Sequence, residues 1–508
     1  MLPEPTVSVL GTDPSWRKHI LNGNAFQQDV IQSCHGWQYA CFYSALRPES
    51  GSREPLYVHL SRRRLPLGQW ETLVFEDYPQ TTDDGHNTVQ LGICPAAIPA
   101  LDPEPRERPR LLHLVCGTLH PYPPPSPRPK SSPPHADLLS YITYPRFGQL
   151  GSDLWFSFRT GKAGLGDDHL YLYSSSRAAY SPFSSPASSS TTTTTPFLKG
   201  IQNNPYIHGL DTRAGKLYVT WVHRDFVWYE GWDDPADTQH KQQAGPNSAA
   251  NNRDLCFAYS SPYPSITAAA KEATTTPEPA GQIWRNGAGD IIADLGRGES
   301  IAPSSPGVTA FQIPKGSGLT NQEAQAVDHG GGVHVLNRDY FSSQTSHNNS
   351  EGESSSKKVK WKHYYRDPAT REWTSRALPC GYVSGKRGRL AISRDDDLYF
   401  ILPGGCNNDD YANVNGGGLD IWKATKSDAY STYELVWVSS STDAEETFPL
   451  TEPLMDTYRL DHDNVLSIFT RRYAPAEEET TTTTTPAGSK IGQGGERRVD
   501  VVVLDFLL

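Results

Sequence analysis

Residue types that can move a proton or hold an anion recur at matching places in this sequence of 508 residues. His86, Tyr144 and Tyr206 each open, or lie near the start of, a short apolar segment typical of a β-strand. Histidine and tyrosine act as general acids and bases, and arginine binds carboxylates through a fork of N–H donors. Gathered at one site, these residue types could bind an anionic ligand and transfer protons.

Arginine ends several of the apolar segments that would return toward the same place. Arginines at equivalent ends of repeated strands predict an electropositive funnel suited to an anionic ligand, within a chain of formal net charge −11. Any one of them alone is also compatible with a solvated strand end. Only convergence on one site therefore favours a function. The arginines are Arg63, Arg159, Arg224, Arg338 and Arg471.

The composition indicates the elements that must position these groups. The chain has 25 Tyr and 12 Trp but only 2 Met, together with 42 Gly and 41 Pro. Aromatic residues suit half-buried pleated surfaces, whereas Gly and Pro mark turns and interrupt helices. We find no long stretch with helical periodicity, so the composition favours an all-β protein.

A repeated pattern specifies the fold further. Seven segments share a turn followed by four or five alternating apolar residues, and most have further apolar stretches beside them. Seven units of up to four antiparallel strands predict a seven-bladed β-propeller rather than a pair of β-sandwiches or a parallel β-helix. The segments begin at Pro55, Arg110, Asp153, Lys216, Gly332, Asp397 and Asn464.

We interpret the chain as one propeller domain over residues 21–508, preceded by an N-terminal extension over residues 1–20. Low-complexity segments interrupt the repeats and are typical of solvated loop insertions within blades. They lie near residues 121–134, 181–196, 342–358 and 476–490.

Composition also excludes some classes of function. The net negative charge disfavours a general nucleic-acid binder, and no apolar run is long enough to span a bilayer. The N-terminus lacks the basic-then-apolar pattern of a secretory signal, which leaves an intracellular protein or a mature or truncated form. The seven scattered cysteines contain no CxxC pair, which disfavours a cysteine zinc site and leaves the compartment open.

In a propeller the innermost strand of each blade lines the central channel, and functional groups gather at one mouth of it. The expected inner strands begin near "HNTVQLGI", "ITYPRF", "NPYIHGLD", "NQEAQAVD" and "GRLAIS". This arrangement places His86, Tyr144, Tyr206 and Gln325 around one mouth.

Several motifs resemble the BNR repeat-containing family, which includes propeller polysaccharide lyases of the L-rhamnose-α-1,4-D-glucuronate lyase and ulvan lyase types. The resemblance runs from about Asn22 to the C-terminus and is interrupted by the low-complexity insertions. The motifs include "NGNAFQQDVI", "TTDDGHNTVQLGICP", "ITYPRF", "FSFRTGKAGLGD", "NNPYIHGLD", "NQEAQAVD" and "VHVLNRD".

The resemblance implies β-elimination beside a uronic acid. Such chemistry needs donors that neutralise the uronate carboxylate, a base for the C5 proton and an acid for the leaving oxygen. By position, His86 matches the family histidine at the carboxylate, Tyr144 matches the active-site tyrosine, and Arg159 matches the carboxylate-binding arginine. Tyr206 matches a substrate-contacting tyrosine more weakly. Arg63, Arg224, Gln325 and Arg338 complete the predicted substrate-binding set.

The sequence departs from the family pattern after "GICP". Aligning His113 with the strand histidine of the family puts Thr118 where the main proton-transfer histidine belongs. His120, two residues later, either takes that role through a bulged backbone or is a loop residue. Two explanations fit this departure from the family pattern. The protein is a divergent enzyme of weakened activity, or the gene model contains a mis-spliced stretch.

Three functions therefore stand as hypotheses: a uronate-specific polysaccharide lyase, a carbohydrate-binding propeller without turnover, and a sialidase-like hydrolase. The hydrolase ranks lowest, because no clear Asp box and no acid–nucleophile pair can be identified. We expect an acidic polysaccharide as partner, a monomer, no nucleic acid and no membrane. No cofactor is predicted. The family resemblance leaves a structural calcium or zinc open, but no group of ligands for one can be identified in the sequence. The resemblance also implies an extracellular location.

Overall fold

The computed structural model describes most of the predicted strands. It covers residues 1–24, 26–47, 55–95, 112–116, 138, 142–183, 194–231, 246–263, 281–340, 359–380, 383, 385–404, 418–439, 448–449, 451–474 and 497–508. The predicted insertions at 121–134, 342–358 and 476–490 lie outside these residues, as does most of the insertion at 181–196.

Residues 31–311 form three blades and one smaller sheet, whereas the first strand of the chain, β1 (Thr6–Thr12), belongs to the final blade. The first blade contains β2 (Ile31–Cys34), β3 (Trp37–Ala45), β4 (Leu56–Arg64) and β5 (Glu71–Gln80). A two-stranded sheet follows, with β6 (Val89–Ile93) and β7 (Leu112–Cys116). The second blade contains β8 (Thr143–Leu150), β9 (Asp153–Arg159), β10 (Asp168–Ser174) and β11 (Ala179–Pro182). The third contains β12 (Asn203–Arg213), β13 (Lys216–Asp225), β14 (Asn252–Ser260), β15 (Ile283–Arg285), β16 (Ile291–Asp294) and β17 (Thr309–Phe311).

The second half of the chain forms the other three blades, each again an antiparallel sheet. The fourth blade contains β18 (Ala324–Val327), β19 (Val333–Tyr340), β20 (Val359–Arg366) and β21 (Trp373–Ala377). The fifth contains β22 (Arg389–Ile392), β23 (Leu398–Pro403), β24 (Leu419–Ala424) and β25 (Glu434–Val438). The sixth contains β26 (Leu454–Met455), the helix α1 (Thr457–Asp463), β27 (Val465–Tyr473) and β28 (Val499–Leu507).

The β-propeller is confirmed, and the described residues form six blades where we predicted seven. Each segment that we counted as a repeat contains a strand, and six of the sheets have four or more strands among the described residues. The segment from Arg110 contributes only β7, which pairs with β6 in a two-stranded sheet. A repeated apolar motif therefore indicated a strand without indicating a complete blade.

The ring closes through the two ends of the chain. Residues 1–20 were expected to be an extension, but β1 pairs antiparallel with β28 and is the outermost strand of the sixth blade. The C-terminal strand β28 also pairs with β27 along its whole length. Since one blade holds strands from both termini, opening the ring would separate the backbone hydrogen bonds between β1 and β28.

The inner strands lie next to one another around the axis, as predicted. β6 packs against β2 and β8, and β12 packs against β8 and β18. β22 packs against β18 and against α1, which also contacts β2. Apolar clusters fill the spaces between the sheets, and Trp221, Trp284 and Trp361 are among the largest fully buried side chains.

Two further features of the described residues bear on the predictions. The described cysteines are buried thiols that form no disulfide with one another: Cys34, Cys41, Cys94, Cys256 and Cys380. No helix in the described part of the chain is long and apolar enough to cross a membrane.

Candidate active site

Antiparallel pairing brings the start of each inner strand beside the end of the next strand. Thr143, at the start of β8, is the register partner of Arg159 at the end of β9. In the third blade Asn204 pairs with Arg224, and Tyr206 follows two residues later on β12. The two blades are neighbours, so two tyrosines and two arginines gather at one mouth of the channel.

A local distortion of β8 directs Tyr144 into this group. The pairing of β8 with β9 shifts register between Thr143 and Arg146, and Tyr144 has φ +57°, in the left-handed region. A non-glycine residue in this region costs on the order of 1–3 kcal/mol and persists only where its surroundings hold it. Bulges of this kind re-aim side chains at functional sites. The Tyr144 ring lies 5.8 Å from the Tyr206 ring, centroid to centroid.

Arg159 lies between the two tyrosines. The central carbon of its guanidinium is 4.5 Å from the centre of the Tyr144 ring and 4.9 Å from that of Tyr206. Its Nε donates to the Thr143 hydroxyl at 2.9 Å, whereas its Nη1 is buried and makes no hydrogen bond to a described residue. The guanidinium therefore retains a donor for a ligand carboxylate.

Arg224 holds the other side of Tyr206 and is itself held by neutral groups. Its Nε donates to the Asn252 side-chain oxygen at 2.9 Å, and its Nη2 donates to that of Asn321 at 2.8 Å. Its Nη1 donates to the Tyr206 hydroxyl at 3.4 Å, and the guanidinium carbon is 4.5 Å from the centre of that ring. No carboxylate of the described chain forms an ion pair with Arg224, so its charge acts on Tyr206.

The two tyrosines consequently differ in acidity. Burial raises the pKa of Tyr206, but Arg159 and Arg224 outweigh that effect and hold the pKa below the ordinary value of 10.0. Burial raises the pKa of Tyr144 above its ordinary value despite the same arginine nearby. A pair of titratable groups with pKa values displaced in opposite directions suits one base and one acid. Tyr206 fits the base and Tyr144 the acid.

His86 lies next to this cluster, as the sequence predicted. Its ring centre is 5.8 Å from that of Tyr144, and it stacks on the Phe26 ring at 4.2 Å. Its Nδ1 is 2.7 Å from the Asp84 carboxylate, which favours the tautomer with the proton on Nδ1 and leaves Nε2 as an acceptor. The His86 side chain is 28 % exposed, so this ring borders the opening of the cluster.

A carboxyl group lies behind Arg159. Burial raises the pKa of Asp168 to about 7, and Arg159 and Arg146 act in the opposite direction. Asp168 Oδ2 makes no hydrogen bond to a described residue. Asp168 and Arg159 form no ion pair in the described structure, which leaves the arginine available to a ligand.

Three of the predicted arginines are paired with carboxylates, and Arg63 lies on the third strand of its blade, β4, instead of the second. Arg63 donates to Asp505 at 2.5 Å, Arg338 to Glu323 at 3.0 Å, and Arg471 to Asp13 at 3.0 Å. Buried charges need a partner, and in these blades a carboxylate supplies it. The predicted funnel of five arginines is therefore reduced to Arg159 and Arg224.

Gln325 faces the channel axis instead of this mouth. Its Nε2 donates to the Asp211 carboxylate at 2.6 Å and to the Tyr218 carbonyl at 3.0 Å. It lines an axial cavity of about 560 Å³ whose lining includes neither Tyr144 nor Arg159.

The histidines near the break in the family pattern do not join the cluster. His113 lies on β7 opposite Gly92, and its Nδ1 is 2.5 Å from the Tyr180 hydroxyl. Its burial lowers its pKa to about 4. Thr118 and His120 lie outside the described residues, so the assignment of His120 stays a prediction.

Sequence comparison identifies the family of this chain. The profile of the BNR repeat-containing family matches residues 37–97 and 130–379, which is more than half of the sequence. The chain belongs to this family. Among curated protein sequences, none matches it.

Solved structures share the fold of this BNR-repeat protein at low sequence identity. The polysaccharide lyase Uly1 is 13 % identical and has a TM-score of 0.58, over 100 % of this chain and 99 % of that chain. An ulvan lyase of family PL25 is 12 % identical with a TM-score of 0.47, over 88 % and 91 %. The Trypanosoma rangeli sialidase in complex with sialic acid is 9 % identical with a TM-score of 0.40, over 99 % and 59 %. The likeness to Uly1 shows a common propeller fold.

The structure of this BNR-repeat protein also brings in residues that the sequence analysis did not select. Phe26 stacks on His86, and Asn321 accepts hydrogen bonds from both Arg224 and Arg387 at 2.8 and 3.2 Å. Phe26 lies in the motif "NGNAFQQDVI", and Asn321 is the first residue of the motif "NQEAQAVD". Their positions within these motifs were the available signal. No group of three or more His, Cys, Asp or Glu side chains in the described structure is arranged to hold a metal ion.

Proposed function

We propose that this protein is a polysaccharide lyase that cleaves a uronic-acid-containing glycan by β-elimination, with a rhamnosyl-glucuronate linkage as the preferred type. The observation that carries the proposal is the position of Arg159 between two tyrosines of unlike acidity, with its Nη1 lacking a protein partner. The fold shared with a polysaccharide lyase supports it.

Arg159 would bind the uronate carboxylate first. A guanidinium at the carboxylate withdraws negative charge and makes the neighbouring C5–H bond more acidic. His86, at the opening of the cluster, would accept a hydrogen bond through Nε2 from a hydroxyl of the same uronate and so orient it. The Arg159 charge stabilises the enolate-like intermediate more than the ground state, which is what lowers the barrier.

Tyr206 and Tyr144 would then move the protons. The Tyr206 phenolate takes the C5 proton, and the electron pair of that bond forms the C4=C5 double bond as the C4–O bond breaks. The Tyr144 phenol donates its proton to the leaving oxygen. The products are an unsaturated uronate end and a free hydroxyl, and proton exchange with water restores both tyrosines. Positioned proton transfer of this kind contributes about 10²–10⁴-fold to a rate.

The proposal includes the setting of the reaction. The partner would be an extracellular acidic polysaccharide or oligosaccharide, bound by a monomer and without nucleic acid, membrane or an obligatory cofactor. Arg159 is 3 % exposed and Arg224 is 8 % exposed, so little of either side chain faces solvent.

A second candidate is a propeller that binds the glycan without cleaving it. Phe26 covers His86 and lies 5.3 Å from Tyr144, ring centre to ring centre. A histidine that the family uses for proton transfer is also replaced by Thr118 in the alignment.

Incubation with ulvan and with gum arabic separates the two candidates. A lyase produces the ultraviolet absorbance of an unsaturated uronate, and Tyr206→Phe removes it. A binding protein produces none but is retarded in gels that contain either glycan. Absence of absorbance with the parent protein and with both glycans would refute the lyase.

A further inference from the structure

Four exposed apolar side chains lie on one rim of the channel, beside the candidate active site. Trp228 is 71 % exposed, Ile201 52 %, Val227 37 % and Leu165 36 %. Single exposed apolar residues are ordinary on protein surfaces, but a group of them at the edge of a pocket marks a contact surface. We refer to these four residues as the apolar rim.

The apolar rim continues directly from the strands that hold the active-site groups. Leu165 follows β9, which ends at Arg159, and Ile201 precedes β12, which carries Tyr206. Val227 and Trp228 follow β13, which carries Arg224. Four residues of extended chain span at most about 14 Å, so Trp228 lies within reach of an oligosaccharide held at Arg224.

Hydrogen bonds fix the backbone beneath the rim. Val227 donates its N–H to the Asn247 side-chain oxygen at 2.7 Å, and the Asn247 amide donates back to the Val227 carbonyl at 2.8 Å. Phe226 donates to the Gln202 carbonyl at 2.9 Å, which links the Trp228 loop to the Ile201 turn.

Close packing also joins the turn that carries Leu165 to the Trp228 loop. A Cβ added at Gly164, where φ is +79°, would lie 2.9 Å from the Phe226 Cα, so only glycine allows this approach. The indole of Trp228 is thus exposed on a backbone that is already ordered, and little entropy is lost when a ligand packs on it.

We propose that the apolar rim, with Trp228 as its platform, is a subsite for a further sugar unit of the glycan held in the active site. This proposal rests on the proposed function, since the same chain must occupy both places. The C–H face of a pyranose ring is apolar and flat enough to pack on an indole, while its hydroxyls stay in water. Four side chains are too few for a stable protein partner, whose interface needs about 1,000 Å² or more.

Substitution of Trp228 tests the subsite in the full-length protein. With ulvan as substrate, Trp228→Ala is expected to raise KM about tenfold with kcat unchanged, because a packing contact outside the reacting atoms is lost. Trp228→Phe keeps an aromatic face and should retain most of the affinity. Leu67→Ala, which removes a side chain that is 83 % exposed on the β4–β5 turn, is the matched control and should change nothing.

Retardation in gels containing ulvan or gum arabic separates the subsite from the lyase. If the parent protein is retarded without cleaving either glycan, and Trp228→Ala is not retarded, the subsite stands and the lyase fails. If the parent protein cleaves and Trp228→Ala matches it in KM and in retardation, the subsite is wrong and the lyase stands. A parent protein that is neither retarded nor active refutes both.

Discussion

Two sets of buried arginines lie near strand ends in this propeller. Arg63, Arg338 and Arg471 each meet a carboxylate at 2.5 to 3.0 Å. Arg159 and Arg224 are just as buried, but they contact hydroxyl groups, amides and tyrosine rings. All of them except Arg63, which lies on the third strand of its blade, lie on the second strand, so the two sets are distinguished by their partners.

The difference indicates which charges can act on a ligand. A carboxylate partner neutralises a buried arginine and makes it part of the framework. Neutral partners leave the positive charge in place, where it lowers the pKa of Tyr206 and can attract an anion. Repeated arginines in a sequence therefore have to be sorted by their partners before any is assigned to a site.

The largest expected effect is on stability, at Arg338. Arg338→Gln leaves the fully buried Glu323 without its cation and should lower the free energy of unfolding by about 3–5 kcal/mol. Urea unfolding measures this change. Arg62→Gln is the control, because the exposed Arg62–Glu71 pair should contribute less than about 1 kcal/mol. Equal losses in the two variants would contradict the division into two sets.

Arg159 should show the opposite behaviour, with a large effect on rate. Arg159→Gln removes the donor to the uronate carboxylate and should lower kcat/KM on ulvan about 10²–10³-fold. Its loss of stability should be smaller than that of Arg338→Gln, since no buried carboxylate loses an ion-pair partner. An Arg159→Gln protein that unfolds readily but retains its rate would place Arg159 in the framework set.

The next effect concerns the pH at which Tyr206 works. Arg224 lowers the pKa of Tyr206, so activity should rise with pH as the phenol deprotonates, with a midpoint below 10.0. Arg224→Gln removes one cation and should move this ascending limb to higher pH, and Tyr206→Phe should lower the rate about 10²-fold. The pH profile of kcat/KM measures both. A limb that does not move in Arg224→Gln would exclude Tyr206 as the base.

The smallest expected effect is a shift of the pH profile when Arg224 is given a carboxylate partner like those of Arg63, Arg338 and Arg471. Asn321 accepts from Arg224 at 2.8 Å, and Asn321→Asp would give this arginine the carboxylate that the framework arginines have. The pKa of Tyr206 should then rise, which moves the ascending limb in the same direction as in Arg224→Gln but less far, because the cation is retained. A shift toward lower pH would show that Asn321 does not act on Arg224.

Much of the site could be predicted from local motifs. His86, Tyr144, Arg159, Tyr206 and Arg224 were selected from strand starts and strand ends, and the structure brings all five together. The register of antiparallel hairpins explains this outcome, because it sets the start of one strand beside the end of the next.

Other predictions failed where distant parts of the chain meet. Arg63 is paired by Asp505, which lies 442 residues away along the sequence, and no local pattern identifies that partner. The left-handed φ of Tyr144 and the stacking of Phe26 on His86 likewise depend on contacts between blades. Six blades are complete among the described residues where seven were predicted, because an apolar strand motif does not specify the outer strands that complete a sheet.

The sequence by itself determined the all-β propeller, the places of its inner strands and the residue types at the mouth of its channel. Turn residues and alternating apolar residues are local signals, and they are sufficient for these features. The tertiary structure alone decided which arginines have neutral partners and can therefore attract an anionic ligand. It also decided which tyrosine is the more acidic and how the two termini close the ring. Those properties depend on burial and on the distance between charges, which exist only once the blades are assembled.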